Sequence, residues 1–400
     1  MPLRCLHTAD WHLGAELKGV SRLEEQERFL QWLLEVIEEE RIEVLLIAGD
    51  VFEHAHPSAT SQTAYYRFLA SLPKRLRATI VIAGNHDSAL RLEAPKEILE
   101  SLRIHVVGEL PKEREQCLIN IDEQLVVAAV PYVSEYRLGV RITGSSSTEV
   151  ASRSQRAFQQ LYTELAELAE ERFPDAALVA MGHLPCAAPG VAHRHQYRPV
   201  FLQGALPTSI FDERYCYVAL GHLHQAHTPD GHRVHYPGSP LQLNYSELDH
   251  DPQVICFEVD QGKLLGAGYR WLQVPRFRSL LELEGTRQEL EIQLESLQWP
   301  EQQLPPILYL KLDEAPAERS QPLALLRDFD ELRRAIRPEL NIAACKLKEL
   351  VQTQPQAPAP DLSQPREVFR LLYQHKKGSE PSEQLMALFD QAEASAKQCS

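Results

Sequence analysis

Apolar residues in the first half of the chain fall into two patterns that alternate. Short unbroken runs read as strands, and longer stretches with apolar positions every three or four residues read as helices. Leu3 to Thr8 is a run of the first kind, as are Val44 to Ala48 and Thr79 to Ala83. Between them, Leu23 to Arg41 places Leu23, Leu30, Leu33, Leu34 and Ile37 on one face with glutamates opposite, which predicts a helix. Ser61 to Leu72 predicts a second helix, stopped by Pro73. Leu125 to Val130, Leu178 to Met181 and Tyr217 to Leu220 are further strand candidates, and Phe158 to Glu171 is another amphipathic helix. Strands alternating with helices predict an α/β fold.

After Asn244 the pattern changes. Val254 to Val259 and Gly268 to Leu272 read as closing strands, and Val274-Pro275-Arg276 as a boundary. Beyond it come strand, helix, strand, helix and strand: Arg278 to Glu282, Thr286 to Leu297, Ile307 to Leu312, Leu323 to Ile336 and Leu340 to Lys346. The expected organisation is a first domain over 1–274 and a small α+β domain over 275–350. A linker rich in proline and glutamine then spans 351–361, and a helical tail spans 362–400, with helices at Pro365 to Gln374 and Ser382 to Ala396. The tail is too short for a core of its own and is expected to dock on a partner.

Composition adds limits. No apolar stretch approaches the roughly 20 residues that span a bilayer, so no membrane role is expected. Seven scattered cysteines without a Cys-x-x-Cys pair suit a reducing compartment. Because Asp10 follows so closely on Met1, no room is left for a signal peptide. The expected location is cytoplasmic. A formal net charge of −15 argues against a large basic nucleic-acid surface on this chain. It does not exclude a nucleic-acid substrate, since bound divalent cations invert the local field and a partner can supply basic surface.

The chemistry is concentrated in loops that follow the apolar runs: Asp10-Trp11-His12, Gly49-Asp50, Gly84-Asn85-His86-Asp87, Gly182-His183 and Gly221-His222-Leu223-His224. Asp, Asn and His are ligands for divalent metals of borderline hardness. Asp10, Asp50, Asn85, His183 and His222 each lie within about two residues of a predicted strand's C-terminal end, where α/β folds gather their ligands. The five motifs are expected to converge on one edge of a sheet, with the preceding glycines supplying unusual backbone angles. Asp10, His12, Asp50, Asn85, His183, His222 and His224 can together hold two adjacent metal ions, with Asp50 able to bridge them. Such a pair lowers the pKa of a bridging water and clamps a phosphodiester for in-line attack. His86 is the natural general acid for the leaving oxygen, and Asp87 is expected to orient a histidine. The stretch around His193 and His195 reads as a solvated loop.

These motifs carry a family resemblance. His7-Thr8-Ala9-Asp10-Trp11-His12-Leu13-Gly14, Ala48-Gly49-Asp50-Val51-Phe52, Ala83-Gly84-Asn85-His86-Asp87-Ser88, Ala219-Leu220-Gly221-His222-Leu223-His224 and Tyr236-Pro237-Gly238-Ser239-Pro240 resemble the calcineurin-like metallophosphoesterase superfamily, in its SbcD branch of DNA repair nucleases. The likeness is dense over residues 1 to about 245. It implies a four-layer α/β/β/α metallophosphoesterase sandwich with a small α+β capping domain and C-terminal helices. It implies two divalent metal ions, Mn2+ with Mg2+ as the other option. One metal would take Asp10, His12, Asp50 and His224, the other Asp50, Asn85, His183 and His222, with His86 as catalytic acid. The implied activity is a 3′-to-5′ double-strand DNA exonuclease and a single-strand and hairpin endonuclease. The implied partners are DNA and an SbcC-type coiled-coil ATPase bound through the C-terminal helices, in a heterotetramer built on a nuclease homodimer. Glu53 stands where some relatives carry a histidine, so no phosphate-positioning role is carried onto it. The competing expectations are a stand-alone phosphodiesterase for a small molecule, which the negative charge favours, and a scaffolding subunit, which the intact ligand set disfavours.

Overall fold

The computed structural model describes residues 2–140, 147–187, 205–313 and 339–347, with scattered helical residues between 366 and 393. Leaving aside two isolated two-stranded pairs, the strands in chain order are β1 (Leu3–Thr8), β2 (Val44–Ala48), β3 (Ala78–Ile82), β4 (Ile104–Val107), β5 (Leu118–Ile121), β6 (Leu125–Ala129), β7 (Ala177–His183), β8 (Tyr217–Gly221), β9 (Val234–His235), β10 (Gln253–Asp260), β11 (Lys263–Gln273), β12 (Arg278–Gly285), β13 (Leu304–Leu312) and β14 (Asn341–Leu347). The longer helices are α1 (Leu23–Glu39), α2 (Ala59–Ala70), α3 (Ser147–Arg172) and α4 (Arg287–Ser296).

Two large sheets carry the fold. The first runs β11-β10-β1-β2-β3-β4, with β1 to β4 parallel and β10 antiparallel to β1. The second runs β9-β8-β7-β6-β5, with β6 to β9 parallel. The sheets stack face to face over Leu46, Ile80, Val127, Val179, Met181, Ala219 and Phe257. The outer face of the first sheet is covered by α1 and α2, which bury Phe29, Leu33, Ile37, Tyr65 and Phe68. The outer face of the second is covered by α3 through Phe158, Leu161, Tyr162 and Leu165. This is the four-layer α/β/β/α sandwich. Strands enclosed on both faces must be apolar throughout, which is why β2 and β3 are continuous apolar runs.

Local chemistry sets the element ends. Ser58 caps α2 by accepting from the Ser61 N–H at 3.1 Å. Thr286 and Glu289 form a reciprocal capping box at the start of α4. The helix expected from Phe158 begins earlier, at Ser147. Its first turns carry Ser147, Thr148, Ser152 and Ser154, and this polar character hid them from the periodicity. The strands β4, β5 and β9 were not expected, because they are short and interrupted by His105, Asn120 and His235.

The small parallel sheet β12-β13-β14 packs one face on α4 through Leu290, Leu294, Leu308 and Leu310. Its other face meets the large domain through Leu280, Ile307 and Tyr309 against Leu17, Val20, Tyr245 and Leu248. Residues 1–141 and 147–348 form one compact unit, and 142–146 with 349–400 a second. In the second unit, the Phe369 and Phe389 rings stack at 4.5 Å and Arg366 pairs with Asp390 at 2.8 Å. The expected helix from Leu323 to Ile336, the linker, and the loop around His193 and His195 lie outside the described residues, as do parts of both tail helices.

Candidate metal centre

All seven predicted ligands come together, on two sheets rather than one. Asp10, Asp50 and Asn85 follow β1, β2 and β3 of the first sheet, whereas His183 ends β7 and His222 follows β8 of the second. The expectation of a single sheet edge is corrected: stacking brings the carboxyl ends of both sheets to the same end of the sandwich. The loops are tied to one another through the backbone. The Asp10 N–H donates to the Gly49 carbonyl at 3.0 Å and the His12 N–H to the Asp50 carbonyl at 3.0 Å.

The glycines act differently from what their positions suggested. Of the four that precede ligands, only Gly49 has a left-handed backbone, with φ of +87°. The others are glycine for lack of room. A Cβ on Gly84 would lie 2.1 Å from Asp50 Oδ1, and one on Gly221 would lie 2.0 Å from the Ala48 carbonyl oxygen. The strained angles belong to the ligands themselves: φ is 54° at Asp10, 47° at His12, 49° at Asp50 and 99° at His222. Such strain, in non-glycine residues, gathers at functional sites and persists only where the surroundings enforce it.

The side chains converge without ordinary partners for every donor atom. Asp10, His12 and His224 offer ligand atoms within 4.8 Å of one another, as do Asp10, Asp50 and His183, and His12, Asp50 and His86. Asn85 Oδ1 lies 3.2 Å from His183 Nε2 and 3.0 Å from His222 Nδ1. Asp50 Oδ2 lies 3.2 Å from His183 Nε2 and 3.6 Å from His12 Nε2. The buried His12 Nε2 has no hydrogen-bond partner.

Three rings have Nδ1 occupied by an acceptor outside the cluster. His12 Nδ1 donates to Glu53 Oε2 at 2.9 Å, His183 Nδ1 to the Ala48 carbonyl at 2.9 Å, and His224 Nδ1 to Glu247 Oε1 at 3.0 Å. Metal-bound histidines almost always donate their second N–H to a carboxylate or carbonyl in this fashion. The donor set therefore fits a pair of divalent cations, with the Asp50 carboxylate common to two of the clusters. Glu53 was noted in the sequence but given no role, and Glu247 was not singled out. Glu53 lies three residues after Asp50, which was a usable signal. Glu247 is 23 residues beyond His224 and nothing local marks it. Ser239 was also missed as a positioning group: its hydroxyl donates to the Asp10 carbonyl at 2.9 Å.

Asp87 departs from expectation. Its carboxylate accepts from the backbone N–H groups of Val51, Phe52 and Gly84 at 3.1, 2.9 and 2.9 Å, and none of these bonds reaches a histidine. It fastens the Asp50 loop to the Asn85 loop, because the amides at both loop ends point at one place. Burial, then the charge of Asp50, pushes it up to about 6. His86 donates from Nδ1 to the Glu53 carbonyl at 2.8 Å, and its ring lies edge-on to His12 with centroids 4.8 Å apart.

The electrostatics favour cations. Burial alone would raise Asp50, but the adjacent His183, then His12 and His86, hold it well below the usual carboxylate range. Burial raises Asp10, partly offset by His183 and His224. Burial alone would lower His183, yet Asp50, Asp10 and the Ala48 carbonyl push it up to about 9. Burial and the neighbouring His183 push His222 down to about 3. In the absence of a metal, the cluster keeps its charge balance by protonating His183.

The fold and the donor cluster are those of a phosphoesterase, and comparison with known proteins agrees. The family model described as calcineurin-like phosphoesterase matches residues 3–226, and the chain belongs to that family. Within the family it falls in the SbcD branch. It is 33% identical to the SbcD subunit of the SbcCD nuclease from Rhodobacter capsulatus over 92% of this chain and 92% of that one. The Bacillus subtilis protein of the same name is 32% identical over 65% of this chain and 67% of its own length. The Escherichia coli K12 protein is 29% identical over 78% of each.

The proton on His183 makes a pH prediction. A histidine raised from 6.5 to about 9 stabilises the metal-free fold fully below about pH 6.5, and that contribution is lost as pH rises through about 9. The depressed Asp50 contributes above its ordinary 3.8, and this is lost only as pH falls through its folded value. A metal ion bound through His183 would displace that proton, so Mn2+ affinity should climb about tenfold per pH unit up to about pH 9. Calorimetry in buffers of different ionisation heat should show about one proton released at pH 7. Flat affinity between pH 6 and 9 would remove His183 from the ligand set.

Proposed function

We propose that this chain is the metal-dependent nuclease subunit of an SbcCD-type complex, hydrolysing DNA phosphodiesters in repair and recombination. The observation that carries the reading is the convergence of seven metal donors, three of them histidines with Nε2 presented by a bonded Nδ1. The names of the relatives supply the substrate class.

By motif position, one ion would be held by Asp10, His12, Asp50 and His224, the other by Asp50, Asn85, His183 and His222. When bound, a two-cation site lowers the pKa of a bridging water and stabilises charge on the attacked phosphate. Mn2+ is the metal the family resemblance implies, and the donor set, which mixes carboxylate and amide oxygen with imidazole nitrogen, suits a divalent cation of borderline hardness. His86 is left for proton transfer. Its Nδ1–H is committed to the Glu53 carbonyl, so as an imidazolium it would pass its Nε2 proton to the leaving oxygen. Asp87 holds the two loops in register, so its contribution is to placement. The polarity we assign is 3′-to-5′ on duplex ends, with endonuclease action at single strands and hairpins.

Two partner surfaces fit this reading. Leu90, Ile98 and Leu102 are exposed by 79%, 69% and 57% directly after the His86 loop. Monomeric proteins seldom leave such side chains together in water, and a second copy of the chain would cover them. In the tail, Leu388 is 62% exposed on a helical segment, suited to docking on the coiled coil of an SbcC-type ATPase.

Four experiments test the proposal. End-labelled duplex DNA should be degraded with Mn2+ and the ATPase present, and His86→Ala should bind both ions yet lose about 10²- to 10⁴-fold in turnover. Cleavage of a generic phosphodiester but never of DNA would replace the nuclease with a small-molecule phosphodiesterase. A chain ending at residue 361 should bind metal normally but fail to co-purify with the ATPase. Ile98→Glu should convert a dimer to a monomer in sedimentation, and an unchanged mass would place the dimer contact elsewhere.

A further inference from the structure

The small sheet and two of the candidate ligands hang on one buried ionic cluster. Glu25, fully buried on α1, pairs with Arg22 through Nε at 2.9 and 2.8 Å and with Arg278 Nε of β12 at 2.9 Å. The side chain of Arg22 is 2% exposed and that of Arg278 8%. Arg278 Nη1 also donates to the Pro305 carbonyl at 3.0 Å, so it fastens to the large domain the small sheet's own edge. Removing three charges from water costs several kcal/mol per ion, a cost that packing alone does not require.

The cluster continues in two directions, and both end at the site. Arg22 Nη1 donates to the Gln242 carbonyl at 2.6 Å. The Gln242 amide then donates to the carbonyls of Glu247, Leu248 and His250 at 3.0, 2.7 and 3.1 Å, which fixes the turn whose Glu247 carboxylate holds His224. The small sheet touches the same turn directly: the rings of Tyr309 and Tyr245 lie 3.8 Å apart. In the other direction, Gln26, next to Glu25, donates to the His12 carbonyl at 2.6 Å and accepts from the Gly14 N–H at 2.9 Å. His12 and His224 form one cluster with Asp10, while His183 forms a second with Asp10 and Asp50. By contrast, His183 is held by the Ala48 carbonyl rather than by this network, while His222, which like His183 faces Asn85, lies two residues before His224 on the same loop.

We propose that Arg278 is a positioning residue that couples the seating of the small sheet to one of the two metal sites, the one built on Asp10, His12 and His224. The proposal rests on the two-metal reading above and adds a regulation of that site. Seating the small sheet closes Arg278 onto Glu25 and Tyr309 onto Tyr245, and the turn then holds Glu247 against His224. Unseating it loosens His224 and His12 together, whereas His183 keeps its bond to the Ala48 carbonyl.

The test is Mn2+ calorimetry on the full chain. In Arg278→Met, Glu25 stays neutralised by Arg22, so the fold should survive. One of the two binding steps should weaken by about tenfold or more while the other is unchanged, as loss of an outer partner does to a metal site. Arg278→Lys, which keeps the charge, should restore part of that loss. Arg276→Ala, which breaks only the exposed pair with Asp251, should leave both steps as they are. Equal weakening of both steps, or none, overturns the proposal. Should Arg278→Met not fold, Tyr309→Leu must give the same one-step loss, and two intact steps there overturn it as well. A wild-type chain that bound no Mn2+ would instead overturn the two-metal reading itself, so the two failures are distinct.

Discussion

Two carboxylates buried at the carboxyl ends of the strands set the terms for the rest of this structure. Asp10 and Asp50 are 0% and 2% exposed, and a buried unpaired carboxylate would cost several kcal/mol. The chain compensates in two layers. Backbone amides come first: the His222 N–H donates to Asp10 and the His86 N–H to Asp50, at 2.9 and 2.8 Å. Imidazoles come second, His183 foremost beside Asp50. The left-handed angles at Asp10, His12, Asp50 and His222 follow from aiming four short loops at one small volume. The glycines follow as well, because a Cβ on Gly84 or Gly221 would occupy the space those ligands need.

The same constraint explains the supporting residues. A histidine that must present Nε2 needs its Nδ1 proton accepted elsewhere, and Glu53, Ala48 and Glu247 do this for His12, His183 and His224. Asp87 adds rigidity by gathering three amides from two loops. Each acceptor is anchored in turn. Glu247 is held by the Leu243 N–H at 2.7 Å, and its turn leans on the small sheet through Tyr245. The small sheet is therefore in hydrogen-bonded and packed continuity with the site, and its placement carries a chemical consequence. The overall charge of −15 sits easily with this, since a two-cation site makes its own positive field for a phosphodiester.

The α/β alternation and the ligand set were legible because both rest on local regularities. Strands enclosed on both faces must be apolar throughout, so β2 and β3 announced themselves, β1 was legible despite Arg4 and His7, and loops at their carboxyl ends hold the Asp, Asn and His of the motifs. The edge strands β4, β5 and β9 are short and broken by His105, Asn120 and His235, and the start of α3 is polar, so these gave no such signal. The glycine spacing was correctly noticed and wrongly explained: room, not backbone angle, requires Gly84, Gly182 and Gly221.

The sequence by itself determined which chemical groups are available, in what order, and at the ends of which strands, since covalent order and side-chain periodicity are written into it. Only the tertiary structure decided that two sheets share the site, that Glu53 and Glu247 hold His12 and His224, that Asp87 serves the loops, and that Arg278 reaches Glu25 across 253 positions. Those outcomes depend on which surfaces stack. Stacking is settled by the summed burial of the whole core, which no short stretch of sequence records.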